Sequence, residues 1–206
     1  HHSSAVILTV PPVRKLFEQR IKSSFDKANI HSFFIEVPDT EKSKSLAQYS
    51  KVLNQLTKIS KGGNSFFLVT LGGGVVGDLG GFAAATFKRG IPYVHIPTTL
   101  LAQVDSAIGG KTGIDLPNAK NMAGAVWQPS VVLSDVSVLQ SLPEREFISG
   151  LGEVIKYGVI ADEKLFQFLE QCPPKELQTD LDALVYLVTA CSRCKGEFVE
   201  EYERDQ

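Results

Sequence analysis

The chain has 206 residues, of which 43% are hydrophobic and 21% charged, and its formal net charge at pH 7 is −2. This is ordinary composition for a folded protein; it excludes a disordered tail, a collagen-like chain and a disulfide-scaffolded miniprotein, and it leaves no global basic field to hold nucleic acid. No apolar run reaches the ~18 to 20 residues that a membrane helix needs, and three cysteines in a chain of this size suit a reducing, cytoplasmic compartment.

His1-His2-Ser3-Ser4 reads as the stub of a purification tag, with no signal peptide after it. Residues 5–10 form a continuous apolar, β-branched run, the pattern of a strand buried on both faces. Pro11-Pro12 stops it, and Val13, Leu16, Phe17, Ile21 and Phe25 then recur at helical spacing. A short strand over 32–37 precedes a helix with Leu46, Tyr49, Leu53 and Leu56 on one face, and a loop is expected at Gly62-Gly63-Asn64. A third strand over 66–71 runs into glycines, followed by a helical face of Val75, Val76, Leu79, Phe82 and Ala83. A fourth strand spans 92–96 and a last short one 131–133; from Pro143 onward the pattern is helical. Alternating strands and helices imply a parallel sheet covered on both faces. The expected organisation is α/β: a Rossmann-like domain over residues 5–143, then the opening helices of a second, α-helical domain over 144–206. The helical pattern is still running at Gln206 with no capping signal, so the chain reads as part of something longer.

Gly72, Gly74 and Gly77 satisfy G-x-G-x-x-G between a strand and a helix, the context that makes the pattern a dinucleotide fingerprint. Glycines admit a pyrophosphate to the backbone, and the helix start supplies free N–H groups and partial positive charge. The acid expected about 20 residues later for the ribose is absent; the available carboxylates lie upstream, at Asp39 and Glu41, where Asp39-Thr40-Glu41 also suits a helix cap.

The segment from Leu101 to Pro129 is too long and glycine-rich for a plain connector. Thr98-Thr99 follows a strand end, where α/β proteins place ligands. Asp105, Lys111, Lys120 and Asn121 among glycines suit an anionic, hydroxyl-rich ligand, and Ile108, Ile114, Met122, Val126 and Trp127 are read as packing the segment. Glu153 and Lys156 have the spacing of a plain helical ion pair. Gly150, Gly152 and Gly158 around them, each costing about 1 kcal/mol in a helix, point instead to close approach of something. Cys191 and Cys194 have C-x-x-C spacing inside a helical run and are read as structural thiols, and His31 and His95 as structural histidines.

The stretches 72–81, 89–90, 97–106, 109–113, 120–122 and 152–158 follow in the order found in the 3-dehydroquinate synthase family, which the chain resembles from about Ala5 to its end. Related sugar-phosphate cyclases share the glycine turn and the Glu153 motif but differ around 109–112. The resemblance implies a Rossmann-like NAD domain and a helical zinc (or cobalt) domain in a homodimer that acts on a sugar phosphate. It implies conversion of 3-deoxy-D-arabino-heptulosonate 7-phosphate to 3-dehydroquinate and phosphate. By the same resemblance Asp39, Glu41, Lys44, Gly73, Gly74, Val75, Val76, Gly77, Asp78, Thr98, Thr99, Lys111 and Lys120 are cofactor contacts. So is the stretch Val138, Leu139, Gln140 and Ser141, with Ser141 where threonine is usual. Asp105, Lys111, Asn121 and Lys156 are substrate-pocket positions, Arg89 reaches the substrate phosphate of the neighbouring subunit, and Glu153 is the first zinc ligand. The chain departs from the family at residues 9–13, where an Asp and an Asn that help hold the nucleotide are missing, which implies weaker NAD binding or a shifted pose. The family's two histidine zinc ligands would lie beyond Gln206, so the chain as given is expected to be an inactive fragment. A sedoheptulose 7-phosphate cyclase, or a non-catalytic NAD-binding module, are the alternatives.

Overall fold

The computed structural model describes residues 4–61 and 65–203. The expected loop at Gly62-Gly63-Asn64, most of the tag stub and the last three residues lie outside the described residues. In chain order the elements are β1 (Ser4–Thr9), α1 (Pro11–Lys27), β2 (His31–Glu36), α2 (Leu46–Lys61), β3 (Phe66–Gly72), α3 (Gly74–Thr86), β4 (Tyr93–Pro97), β5 (Lys111–Leu116), β6 (Ala119–Val126), β7 (Val131–Val132), α4 (Glu144–Ile160), α5 (Glu163–Gln171), α6 (Pro174–Thr179) and α7 (Leu181–Glu203).

All six residues of β1 are buried, the apolar 5–8 as expected and with them the polar Thr9 and Ser4, the latter a strand residue rather than part of a tag stub. It pairs in parallel with β2 on one side and β3 on the other, within a sheet of order β2-β1-β3-β4-β7. Side chains alternate across the sheet. Ala5 and Ile7 meet Val69, Leu71 and the α1 residues Phe17, Ile21 and Phe25. Val6 and Leu8 join Val52 and Leu56 of α2 and Val76, Leu79 and Ala83 of α3. Each fully buried aliphatic side chain contributes roughly 1.5–3 kcal/mol.

Two expected core positions are solvent-facing: Leu16 is 58% and Leu46 61% exposed. Leu16 lies one residue, about 100° of helix, off the Phe17-Ile21-Phe25 line, and Leu46 is the first residue of α2, ahead of the turn that touches the sheet. The short last strand is present but sits at the sheet edge, with Val131 52% exposed.

The glycine-rich segment is not a loop. Residues 102–106 form a π-helical turn, and β5 and β6 form an antiparallel hairpin with a register irregularity between Ile114 and Leu116. Ile114 is buried as expected, whereas Met122 and Val126 are 68% and 65% exposed and do not pack it.

Packing divides the chain into two compact units, one comprising residues up to Ile96 with Gly110–Leu133, the other Pro97–Gly109 with everything from Ser134 onward. In the second unit Phe147, Leu151, Val154 and Tyr157 of α4 are buried, as are Leu165, Leu177, Leu184 and Leu187 of the following helices. Asp162 caps α5 by accepting from Leu165 N–H, and Asp180 Oδ1 accepts from the N–H groups of Asp182 and Ala183 at the start of α7. The glycines of α4 do serve close approach, at two of three positions. A Cβ on Gly150 would lie 2.8 Å from Leu100 Cβ and from Leu101 N, and one on Gly158 3.1 Å from the Phe166 backbone, while Gly152 faces open space. What approaches is the protein's own chain. Among the described residues no helix is long and apolar enough to cross a membrane.

Candidate functional site

The glycine turn sits where the sequence places it, between β3 and α3. Gly73 caps α3 in an extended conformation and puts no side chain over the first N–H groups. Such a helix start is open to an anion. Gly72 and Gly77 are glycines for a steric reason: a Cβ on Gly72 would lie 2.7 Å from Val76 Cγ2, and one on Gly77 2.8 Å from the His95 ring. Gly80 and Gly81 let α3 lie directly on Thr70 and Thr112. His95 is buried, with Nδ1 2.6 Å from Thr70 Oγ1. Burial holds its imidazole down at about 4, against the Thr70 contact, so it is neutral and structural at pH 7.

One turn into α3, Asp78 meets Lys44. The Lys44 ammonium lies 2.7 Å from Asp78 Oδ2, donates to Asn121 Oδ1 at 2.7 Å and has Glu41 Oε1 at 3.8 Å. Burial works against the Lys44 charge, but the hydrogen bond and charge of Asp78 outweigh it and hold the ammonium above its ordinary value. Burial pushes the Asp78 carboxyl up, and Lys44 opposes part of that rise. Asn121 adopts a left-handed conformation (φ 55), which asparagine tolerates, and its N–H donates to Asp115 Oδ1 at 2.7 Å. A groove of about 560 Å³ opens beside this network, lined among others by Asp78, Lys111, Gly113, Asn121, Met122 and Gly124. The hairpin therefore brings Lys111 and Asn121 to the glycine helix. Gly113 and Gly124 face each other so closely across its strands that a Cβ on Gly124 would lie 2.1 Å from Thr112 O. Of the other expected cofactor positions here, Asp39 and Lys120 are exposed. Glu41 opens a short 3-10 turn capped by Thr40, whose side chain accepts from Lys42 N–H, so the capping role is met by Thr40. Arg89 is exposed in a left-handed turn (φ 65).

In the second unit Asp105 lies on the π-helical turn, an irregularity that clusters at functional sites. Its Oδ1 accepts from Lys195 Nζ at 2.7 Å and from Tyr157 Oη at 3.3 Å. Burial, then the charges of Asp105 and Glu153, push the Tyr157 phenol well up, so it is a donor at any ordinary pH. Glu153 and Lys156 make the helical ion pair, and Lys156 Nζ lies 5.0 Å from the Tyr157 ring centroid. Lys195 and Tyr157 were not singled out from sequence; Lys195 is 90 residues from Asp105, and only its i+4 position from Cys191 on one helix face hints at burial near it. Thr98 is buried, and Thr99 Oγ1 accepts from Ala102 N–H at 3.2 Å. Of the stretch Val138–Ser141, the first two side chains are buried and Gln140 and Ser141 are exposed. The Ser141 hydroxyl is donated to Val138 O at 2.8 Å. Cys191 and Cys194 are free, buried thiols of α7, Cys191 pushed up to about 12 chiefly by burial. Among the described residues no three His, Cys, Asp or Glu side chains converge to hold a metal.

The fold is shared with solved cyclases and dehydrogenases. The chain superimposes with a TM-score of 0.88 on 2-epi-5-epi-valiolone synthase of Streptomyces hygroscopicus, a structure with NAD+ and Zn2+ bound, at 25% identity over 97% of this chain and 56% of that one. It also superimposes with a TM-score of 0.77 on 2-deoxy-scyllo-inosose synthase complexed with carbaglucose-6-phosphate, NAD+ and Co2+, at 24% identity over 95% of this chain and 55% of that one, a likeness of fold. Residues 34–149 match the family model described as 3-dehydroquinate synthase N-terminal, and residues 150–206 the C-terminal one. The chain belongs to the 3-dehydroquinate synthase family. It is 48% identical over 199 residues to the 3-dehydroquinate synthase of Thermodesulfovibrio yellowstonii, covering 97% of this chain and 55% of that one. It is 46% identical to that of Pelobacter propionicus, again covering 97% of this chain and 55% of the other. The chain thus spans about half the length of the curated relatives it matches.

Proposed function

We propose that this chain serves 3-dehydroquinate synthesis, the conversion of 3-deoxy-D-arabino-heptulosonate 7-phosphate to 3-dehydroquinate and phosphate, with residues 5–143 holding NAD and residues 144–206 opening the substrate and metal domain. The observation that carries the reading is the buried Lys44, which joins Asp78 and Asn121 beside the groove lined by Lys111. These residues fit a dinucleotide: a helix start with no side chain over it, a groove of about 560 Å³ with Lys111 in its lining, and hydrogen-bonding side chains fixed in place. NAD, when bound, supplies a hydride acceptor that oxidises a substrate hydroxyl and later returns the hydride. The residues of the chain do the holding. The N–H groups opening α3 receive pyrophosphate. Lys44 offsets part of the burial that raises the Asp78 carboxyl and aims Asn121, while Lys111 and Lys120 offer charge to anionic groups. Asp105, fixed by Lys195 and Tyr157, accepts a hydrogen bond from a substrate hydroxyl, and Lys156 supplies a cation that the Glu153 pair releases when another partner takes the carboxylate. Asp39, Glu41, Thr98, Thr99 and residues 138–141 complete the proposed cofactor contacts.

The described residues do not make a metal site by themselves, since no three ligand side chains converge. Glu153 is proposed as one ligand of a zinc or cobalt ion. Further expectations are a homodimer in which Arg89 meets the neighbouring subunit's substrate phosphate, and a cytoplasmic location. The test is phosphate release from the heptulosonate phosphate by protein carrying a complete metal domain, with and without NAD: NAD-dependent release supports the reading, and NAD-independent release, or none from the NAD- and zinc-loaded protein, rejects it.

A further inference from the structure

Lys88, Arg89 and Gly90 are three consecutive residues with positive φ (52, 65 and 119). Lys88 and Arg89 carry side chains that disfavour this conformation, so the surroundings must impose it. On one side the Phe87 ring stacks on Phe66, centroids 6.0 Å apart, and Gly90 N–H donates to Phe87 O at 2.9 Å. On the other side stands Trp127, the single tryptophan of the chain. Its Nε1–H donates to Ile91 O at 3.2 Å. Its ring lies so close to Gly90 that a Cβ there would be 2.7 Å from Cη2. The same residue grips two other segments through its backbone: its N–H donates to Gly110 O at 2.8 Å, immediately before Lys111, and its carbonyl accepts from Tyr93 Oη at 3.1 Å.

We infer that Trp127 is a positioning residue: it locks the left-handed turn that presents Arg89 and pins that turn to the root of the strand that carries Lys111. The inference rests on the reading above, in which Arg89 meets a substrate phosphate. Glycine at position 90 is required twice over, by its φ and by the indole against it, so the turn and the tryptophan form one unit. Among the described residues no hydrogen bond joins Trp127 to Lys44 or Asp78, and its grip on Gly110 is through the backbone, so loss of the indole N–H is felt at Arg89 and not at the cofactor network.

Trp127→Phe keeps an aromatic ring over Gly90 and deletes the N–H. Hydrogen exchange of the 87–91 amides should then quicken about tenfold, with β1 and the β5–β6 hairpin unchanged. In the enzyme assayed with its sugar-phosphate substrate, KM should rise about tenfold while kcat and NAD affinity stay within about twofold. Gly90→Ala, which pushes on the same contact from the other side, should give the same pair of signatures. Unchanged exchange at 87–91, exchange quickened evenly across the whole unit, or a loosened turn with unaltered KM each overturns the inference. Calorimetric NAD titration of the unsubstituted protein separates the two levels. If NAD binds and Trp127→Phe does nothing, the positioning role alone falls; if NAD does not bind, the cofactor reading falls, and the exchange result still decides whether Trp127 locks the turn.

Discussion

Stability should depend on pH through His95 in a calculable way. The ring is 3% exposed, packed under α3 against Gly77, and titrates at about 4 in the folded protein because burial disfavours its charge. In the unfolded chain a histidine titrates near 6.5. The folded value is depressed, so the contribution of the neutral ring is fully present above pH 6.5 and is lost as pH falls from there towards 4. At pH 5.5 the unfolded chain binds the proton and the folded chain mostly does not, which costs about 1.4 kcal/mol relative to pH 7.5; near pH 4.5 the loss is about 2.5 kcal/mol. Urea denaturation of the protein and of His95→Gln at pH 7.5 and 5.5 measures it. The variant is less stable at both pH values, since the ring fills space under α3, but the gap between the two proteins should narrow by about 1.4 kcal/mol on going to pH 5.5. His31, exposed on β2, is present in both proteins and drops out of the difference. A gap that does not change with pH, or a His95 ring that titrates near 6.5 by NMR, would refute the argument.

Lys44→Met should destabilise the fold by about 2–4 kcal/mol, because it strands Asp78 without its partner, and Lys44→Met with Asp78→Asn should recover a good part of that in a double-mutant cycle. Gly80→Ala should cost about 1–3 kcal/mol despite its better helix propensity, since the new Cβ would lie 2.3 Å from Thr70 Cγ2; Gly152→Ala, which meets nothing within 4 Å, should instead stabilise by up to about 1 kcal/mol. Thermal melts distinguish the two. Lys156→Ala should lower phosphate release from the heptulosonate phosphate by at least about a hundredfold while NAD affinity, measured by calorimetry, holds within about twofold.

The strands and helices of the sheet were legible because their cause is local. An unbroken apolar run such as 5–10 has nowhere to go but the middle of a sheet, and a glycine turn between strand and helix reads directly. The β5–β6 hairpin was not legible, because Gly113, Gly124 and the three alanines of β6 carry no β-propensity, and its strands are held by register and by close backbone contact. Of the three glycines of α4, Gly150 and Gly158 are contact points and Gly152 is not, and sequence alone does not say that Leu100 and Phe166 make the contacts. The candidate residues were legible one by one and their partnerships were not. Lys44 meets Asn121 across 77 positions and Lys195 meets Asp105 across 90, distances over which only the fold decides who is adjacent. That placement groups Asn121 with Lys44 and Asp78, and adds Lys195 and Tyr157 to Asp105.

If the opening of α3 and the Lys44 network form an NAD seat, calorimetry will register it. NAD titrated into the protein should bind with a single-site isotherm. Gly74→Val, which places a β-branched side chain at the first residue of α3, and Asp78→Asn, which removes the nearest counter-charge of Lys44, should each weaken binding by at least about tenfold. No heat at millimolar-scale NAD, or an affinity that neither substitution changes, would contradict it.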